Sequence, residues 1–203
     1  QFCPHEFFLQ TGIHIEDLYG EAFREAYNKA EELFNNGVYL NAKNVSSREV
    51  MKRILETCKE TGLPYIFNKD YVNECNPNKH KGIIYCSNLC VESFSTFNEE
   101  YSHVCNLTSL NLAKIDTLEK LEQAVRMAVV SLNQIVTLST SPLESTRKHN
   151  DLFRIIGIGA LGYHDHLVLK GMNYTGSADY AYELFEKIAY WAIDESVNET
   201  NYL

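Results

Sequence analysis

Cys86-Ser87-Asn88-Leu89-Cys90-Val91-Glu92 places an amide, a thiol and a carboxylate at every second position. Side chains two apart in an extended segment point the same way. The stretch therefore predicts Asn88, Cys90 and Glu92 on one face, with Leu89 and Val91 anchoring the other. A thiol beside a carboxylate and a two-way hydrogen-bonding amide can position a hydroxylated substrate, accept a proton from it and do sulfur chemistry on the neighbouring atom.

Ile83-Ile84-Tyr85 leads directly into this stretch and, like Pro64-Tyr65-Ile66-Phe67, has the branched and aromatic content of a short strand. Upstream, residues 17–35 carry Leu18, Phe23, Ala26, Tyr27, Ala30, Leu33 and Phe34 at helical spacing. Ser46 and Glu49 form a capping box for a second helix, which runs through Val50, Met51, Ile54, Leu55 and Cys58 to Gly62, ahead of Pro64. Cys58 falls in its apolar stripe and reads as core. Downstream, Asp116 can cap a long helix with apolar positions from Leu118 to Val136, ending before Pro142. Shorter helical patterns occupy 160–170 and the segment after Ser177.

A chain of 203 residues with 45% hydrophobic content can bury a core, as one globular domain or part of a larger one. Its net charge of -9 argues against direct nucleic-acid binding and for a small substrate. No apolar run has the length of a membrane span, and residues 1–20 lack the sections of a signal peptide, so a cytoplasmic enzyme is expected. Four of the six cysteines lie between 75 and 105, a clustering that points to redox, catalytic or metal chemistry in a reducing compartment. Both ends, Gln1-Phe2-Cys3-Pro4-His5 and Tyr202-Leu203, read as cuts through a larger fold.

Three patterns invite other readings. Gly157-Ile158-Gly159-Ala160-Leu161-Gly162 fits the dinucleotide fingerprint, with Asp179 about 20 residues on. The charged segment before it, however, makes a poor first strand, and a tight strand-to-helix turn with close backbone approach is the simpler account. In His164-Asp165-His166, helix positions two apart do not share a face, which favours ordinary polar residues over a metal site. Cys75, Cys86, Cys90 and Cys105 could make the chain a zinc-stabilised structural or interaction module, although such sites usually contain two tight cysteine pairs.

Ser87-Asn88-Leu89-Cys90-Val91-Glu92, followed by Val104-Cys105-Asn106-Leu107-Thr108-Ser109-Leu110-Asn111-Leu112, resembles the catalytic large subunit of class I ribonucleotide reductases and their near relatives. Phe2-Cys3-Pro4-His5-Glu6, Gly62-Leu63-Pro64-Tyr65-Ile66 and the segment Arg154 to Gly162 are similar to further motifs of that family, so the likeness runs from end to end. It implies an α/β fold: residues 1–203 as part of the family's ten-stranded α/β barrel, with a finger loop at about 86–92 carrying the radical cysteine. The N-terminal allosteric part and the C-terminal phosphate-binding part would be absent.

The implied function is radical reduction of ribonucleotides, in the form of ribonucleoside diphosphates, to 2'-deoxyribonucleotides for DNA synthesis. Cys90 would be the thiyl radical that takes the 3'-hydrogen, and Glu92 the base for the 3'-hydroxyl proton. Asn88 would anchor the ribose hydroxyls, with Ser87, Asn88 and Glu92 as the substrate-binding residues. Cys105 matches one member of the reducing pair, whose disulfide is reopened by an external thioredoxin- or glutaredoxin-like reductant. No cysteine here matches the motif of its partner, and Cys86 departs from the family pattern. The resemblance implies no cofactor bound by this segment. It implies a radical supplied by a metal-containing small subunit, or in a related class by adenosylcobalamin, and inactivity without the complementary large-subunit segments.

Overall fold

Ser46 and Gly62 begin and end one helix as the sequence predicts. The computed structural model describes residues 1–38 and 42–200; Tyr202 and Leu203, where the last helical pattern ends, lie outside the described residues. The chain forms two units, Gln1–Phe97 and Asn98–Leu203.

In the first unit, helix α1 (Pro4–Thr11) starts with proline at its first position and stops at Gly12, where φ is 70°. A 3₁₀ turn at Ile15–Asp17 precedes α2 (Gly20–Asn35), so the predicted helix begins three residues late. Phe7, Ile15, Ala26 and Ala30 form the buried core here, with Phe2, Leu18 and Leu33 packed against it. Helix α3 (Ser47–Thr61) has Ser46 accepting the Glu49 N–H at 3.4 Å and ends at Gly62 in the left-handed conformation. Its apolar positions are only partly covered, and Cys58 is half-buried rather than core, with its thiol donating to the Pro64 carbonyl at 3.1 Å. Helix α4 (Lys69–Cys75) is capped by Asn68, whose side chain accepts the Tyr71 N–H at 3.1 Å.

The second unit is built on a parallel pair, β1 (Leu107–Asn111) and β2 (Gly157–Leu161), in register from Leu107 opposite Gly157 to Asn111 opposite Leu161. Between them lie α5 (Leu118–Leu138) and α6 (Glu144–Phe153); α7 (Tyr163–Leu169) and α8 (Ala178–Thr200) follow. Leu121, Val125 and Ala128 of α5 bury against Leu184 and Ile188 of α8 and against Leu110 and Leu112. Each leucine, valine or isoleucine side chain so removed from water contributes roughly 1.5–3 kcal/mol. Arg126 ties the same two helices by ion pairs to Asp194 at 2.8 Å and Glu195 at 2.9 Å, besides Glu122 on its own helix. No helix among the described residues is long and apolar enough to cross a membrane.

Three local expectations are corrected. Residues 64–67 and 83–85 form no strand, because neither stretch has a ladder partner among the described residues. Thr117, not Asp116, caps α5, its hydroxyl accepting the Lys120 N–H at 3.2 Å, while Asp116 pairs with the Lys120 ammonium at 2.8 Å. The glycine run is itself a strand rather than only a turn. A Cβ at residue 157 would lie 2.5 Å from Leu107 Cδ2, so glycine there permits close strand approach. Gly162 then supplies the left-handed residue, φ 69°, from which α7 starts. Two of its glycines thus lie inside the strand, where they meet β1 instead of a phosphate.

Candidate functional site

Residues 87–94 make a tight loop. Ser87 and Phe94 pair antiparallel at its base, the Asn88 N–H donates to the Ser93 carbonyl at 3.2 Å, and the Val91 N–H donates to the Asn88 carbonyl at 3.2 Å. Val91 adopts φ 64°, a left-handed conformation that is rare for a β-branched residue. That residue breaks the two-residue alternation, so the predicted common face of an extended strand does not form. Leu89, expected to anchor the buried side, is 90% exposed.

The turn nevertheless brings two of the three predicted residues together. Asn88 Nδ2 donates to Glu92 Oε1 at 2.6 Å, while Asn88 Oδ1 accepts the backbone N–H groups of Glu92 at 3.2 Å and Ser93 at 3.1 Å. The Asn88 amide is therefore the internal frame of the loop as well as the orienting partner of the carboxylate. Ser87 turns its hydroxyl inward, donating to the Asn88 carbonyl at 2.9 Å. Cys90 and Glu92 are both exposed within the loop.

The stem below the loop is held firmly. Ser93, Ser95 and Thr96 are buried on the outgoing side, and Phe94 stacks on Phe67 with ring centroids 5.7 Å apart. On the incoming side, Asn73 bonds both backbone groups of Ile84 at 2.8 Å. The Tyr85 hydroxyl donates to Asp17 Oδ1 at 2.6 Å, and this carboxylate hydrogen bond, helped by burial, pushes the phenol up to about 12. Lys69 Nζ donates to the Glu16 and Leu18 carbonyls and lies 5.3 Å from the Tyr85 ring centroid. Burial pulls its pKa down against the pull of Asp17, Asp70 and Glu16. Sequence reasoning missed Asn73 and Asp17 because a lone polar residue beside a helix stripe carries no pattern. The available signal was two asparagines, Asn73 and Asn76, just before an unpaired apolar run.

Cys105 belongs to the second unit and is exposed just ahead of β1. Its neighbour Asn106 fixes that approach, with Nδ2 donating to Ile155 O at 3.0 Å and to Asn150 Oδ1 at 3.2 Å. The zinc reading gains no support: Cys75 and Cys86 are exposed, and among the described residues no three His, Cys, Asp or Glu side chains gather in a way that could hold a metal ion. His166 is a core histidine, its Nδ1 3.0 Å from the Leu112 carbonyl and its Nε2 2.6 Å from the Tyr180 hydroxyl.

Chemically, the loop combines a solvent-accessible thiol with an exposed carboxylate that is oriented by a neutral amide donor. A carboxylate so placed can take a proton from a hydroxylated ligand while the sulfur acts on an adjacent carbon.

Comparison with known proteins gives one consistent family. The ribonucleotide reductase barrel-domain family matches residues 1–201. The ribonucleoside-diphosphate reductase subunit alpha of Synechocystis sp. is 40% identical over 195 residues, which cover 96% of this chain and 25% of that protein. The Treponema pallidum subunit alpha is 32% identical over 222 residues, covering 96% of this chain and 26% of its own length. The large subunit from Caenorhabditis elegans is 34% identical over 190 residues, covering 90% and 24%. The chain thus spans about a quarter of the length of these relatives. Among solved structures, the Actinobacillus ureae class Id ribonucleotide reductase alpha subunit superposes with a TM-score of 0.63 at 22% identity, over 76% of this chain and 32% of that one. This likeness concerns the fold.

Proposed function

The chain belongs to the ribonucleotide reductase barrel-domain family, and from that premise we propose that residues 87–94 are the radical loop of an enzyme that reduces ribonucleoside diphosphates to 2'-deoxyribonucleotides. Cys90, as a thiyl radical, takes the hydrogen from the 3'-carbon. Glu92 accepts the 3'-hydroxyl proton. With the radical at the neighbouring carbon, the protonated 2'-hydroxyl leaves as water, a step that polar chemistry alone makes difficult. A cysteine pair that includes Cys105 supplies two electrons and two protons, one proton leaving in the water and the other becoming the new 2'-hydrogen, and closes to a disulfide that an external dithiol reopens, while Glu92 returns its proton to the 3'-oxygen. Cys90 returns a hydrogen to the 3'-carbon and is radical again.

The observation that carries this reading is the 2.6 Å contact between Asn88 Nδ2 and Glu92 Oε1 in the same loop as the exposed Cys90. A base of this kind must be held against the thiol's substrate atom, and the amide supplies that hold. Asn88 has a second role here, as the frame of the loop rather than only an anchor for ribose hydroxyls. The radical comes from a separate subunit, in line with relatives named as alpha or large subunits. No step is assigned to a metal within this segment.

The test is nucleotide reduction by the full-length protein with its radical-supplying partner and a dithiol. Cys90→Ser should abolish turnover, and Glu92→Gln should lower kcat by about 10²–10⁴-fold, the usual worth of a general base. The 203-residue chain alone should be inactive, because it spans a quarter of the relatives' length. Retained reduction by Cys90→Ser, or turnover by the chain alone, would overturn the corresponding part of this account.

A further inference from the structure

Among the described residues no strand lies beside the incoming side of the loop stem, yet the backbone of Ile84 is engaged through both its N–H and its carbonyl. Asn73 Oδ1 accepts the Ile84 N–H at 2.8 Å, and Asn73 Nδ2 donates to the Ile84 carbonyl at 2.8 Å and to the Lys69 carbonyl at 2.9 Å. Both residues are buried, Asn73 at 2% and Ile84 at 3% exposure. Turned over, the amide would set its NH₂ against an N–H and its oxygen against two carbonyls, so one orientation alone satisfies the site. The pair has the hydrogen-bond pattern of two strand residues facing each other, with a side chain standing in for the missing strand.

We propose that Asn73 is a positioning residue for the radical loop. Its amide fixes the register of residue 84, and the three residues that follow carry that register to the Ser87–Phe94 bridge where the loop begins. Helix α4 is itself fastened to the N-terminal helices: the Gly20 N–H donates to Asp70 Oδ1 at 3.0 Å, and Lys69 Nζ reaches the Leu18 carbonyl at 3.1 Å. Asn73 thus connects a rigid helical frame to the segment that ends in Cys90 and Glu92. Neighbouring contacts confine the stem further. A Cβ on Gly82 would lie 2.8 Å from Thr96 Cγ2, and Tyr85 is tethered to Asp17. Asn73, however, grips the main chain of one stem residue through both a donor and an acceptor, whereas Asn76 divides its two bonds between Gly82 and Asn78. The loop's own bonds keep its shape; Asn73 sets where that shape is presented. This inference rests on the radical-loop reading above.

The experiment uses the full-length protein in its reductase assembly, with Asn73→Leu, which keeps the shape and removes every hydrogen bond. Asn73→Asp is the second variant; it keeps the acceptor for the Ile84 N–H and turns a carboxylate oxygen toward the two carbonyls. Asn73→Leu should lower kcat by about 10²-fold, the cost of misplacing reacting groups by an ångström, with KM within about threefold. Amide hydrogen exchange should accelerate at residues 84–94 while α1 and α2 keep their protection. A purely structural role would instead accelerate exchange across the whole first unit. Parental kcat in Asn73→Leu, or exchange that spreads into α1 and α2, overturns the proposal. If that variant does not fold, Asn73→Asp decides in the same way, by local exchange with reduced kcat against parental kcat. Cys90→Ser, measured in parallel, separates the two levels: reduction that survives it refutes the radical-loop reading, whereas Cys90-dependent reduction unaffected by Asn73→Leu refutes the positioning role alone.

Discussion

Acid should weaken the second unit, above all through one residue. His149, on α6, is 0% exposed, with its ring 4.7 Å from Phe153 and 5.0 Å from His103 between centroids. Burial, with the nearby His103 adding to it, pulls its pKa down to about 4. In the unfolded chain the same imidazole takes up its proton near 6.5. Unfolding therefore binds a proton between these values, so the stability due to neutral His149 is complete above about 6.5, declines through the window and is lost below about 4. At about 1.4 kcal/mol per pKa unit, the full loss is about 3.5 kcal/mol. His103, also lowered by burial, acts in the same direction. Trp191 is the chain's single tryptophan and packs against the core of this unit, so its fluorescence reports the unfolding. Urea titrations at pH 7.5, 6, 5 and 4 should show the midpoint falling more steeply for the parent than for His149→Phe, with equal slopes against denaturant. Carboxylates that titrate in the same range are common to both proteins and cancel in the comparison. Identical losses in the two would refute the assignment.

Asn88→Ala removes three hydrogen bonds that define the loop; it should lower kcat by at least tenfold by freeing Glu92, and should speed amide exchange at Glu92 and Ser93. Unchanged exchange at those two amides would show that the loop keeps its shape without the side chain. Gly157→Ala forces a methyl to within 2.5 Å of Leu107 Cδ2; the overpacking should cost about 1–3 kcal/mol, read as a lower Tm, and a parental Tm would mean that Leu107 yields freely.

The long helices were legible because each satisfied two conditions at once, helical spacing of apolar residues and a cap. Leu121, Val125, Val129 and Leu132 are buried as their spacing requires, and Ser46 and Gly62 bound α3. Helix α6 was not legible, since His149 is its one buried residue and no apolar stripe marks it. Strands fared worse. Ile83-Ile84-Tyr85 has strand composition but no adjacent strand among the described residues, whereas Leu107–Asn111 and the glycine-rich Gly157–Leu161 pair with each other across a long crossover. Composition reports extended backbone; pairing is decided elsewhere in the chain. In the loop, the residue identities were readable but the geometry was not. Alternation predicted a shared face, and the left-handed Val91 replaced it with a turn in which Asn88 meets Glu92 directly.

The parallel pairing of β1 with β2 bears on the order in which a growing chain can mature. The clamp on the proposed radical loop draws on Asn73, Ile84 and the Ser87–Phe94 bridge, all close in sequence, so it can close soon after residue 94 is made. Cys105 sits beside a strand whose only ladder partner among the described residues begins at Gly157. Until translation has passed the whole of α5 and α6, that thiol lies on an unregistered segment. The loop assigned to radical chemistry is thus framed early, and the thiol assigned to electron supply is set in place only afterwards.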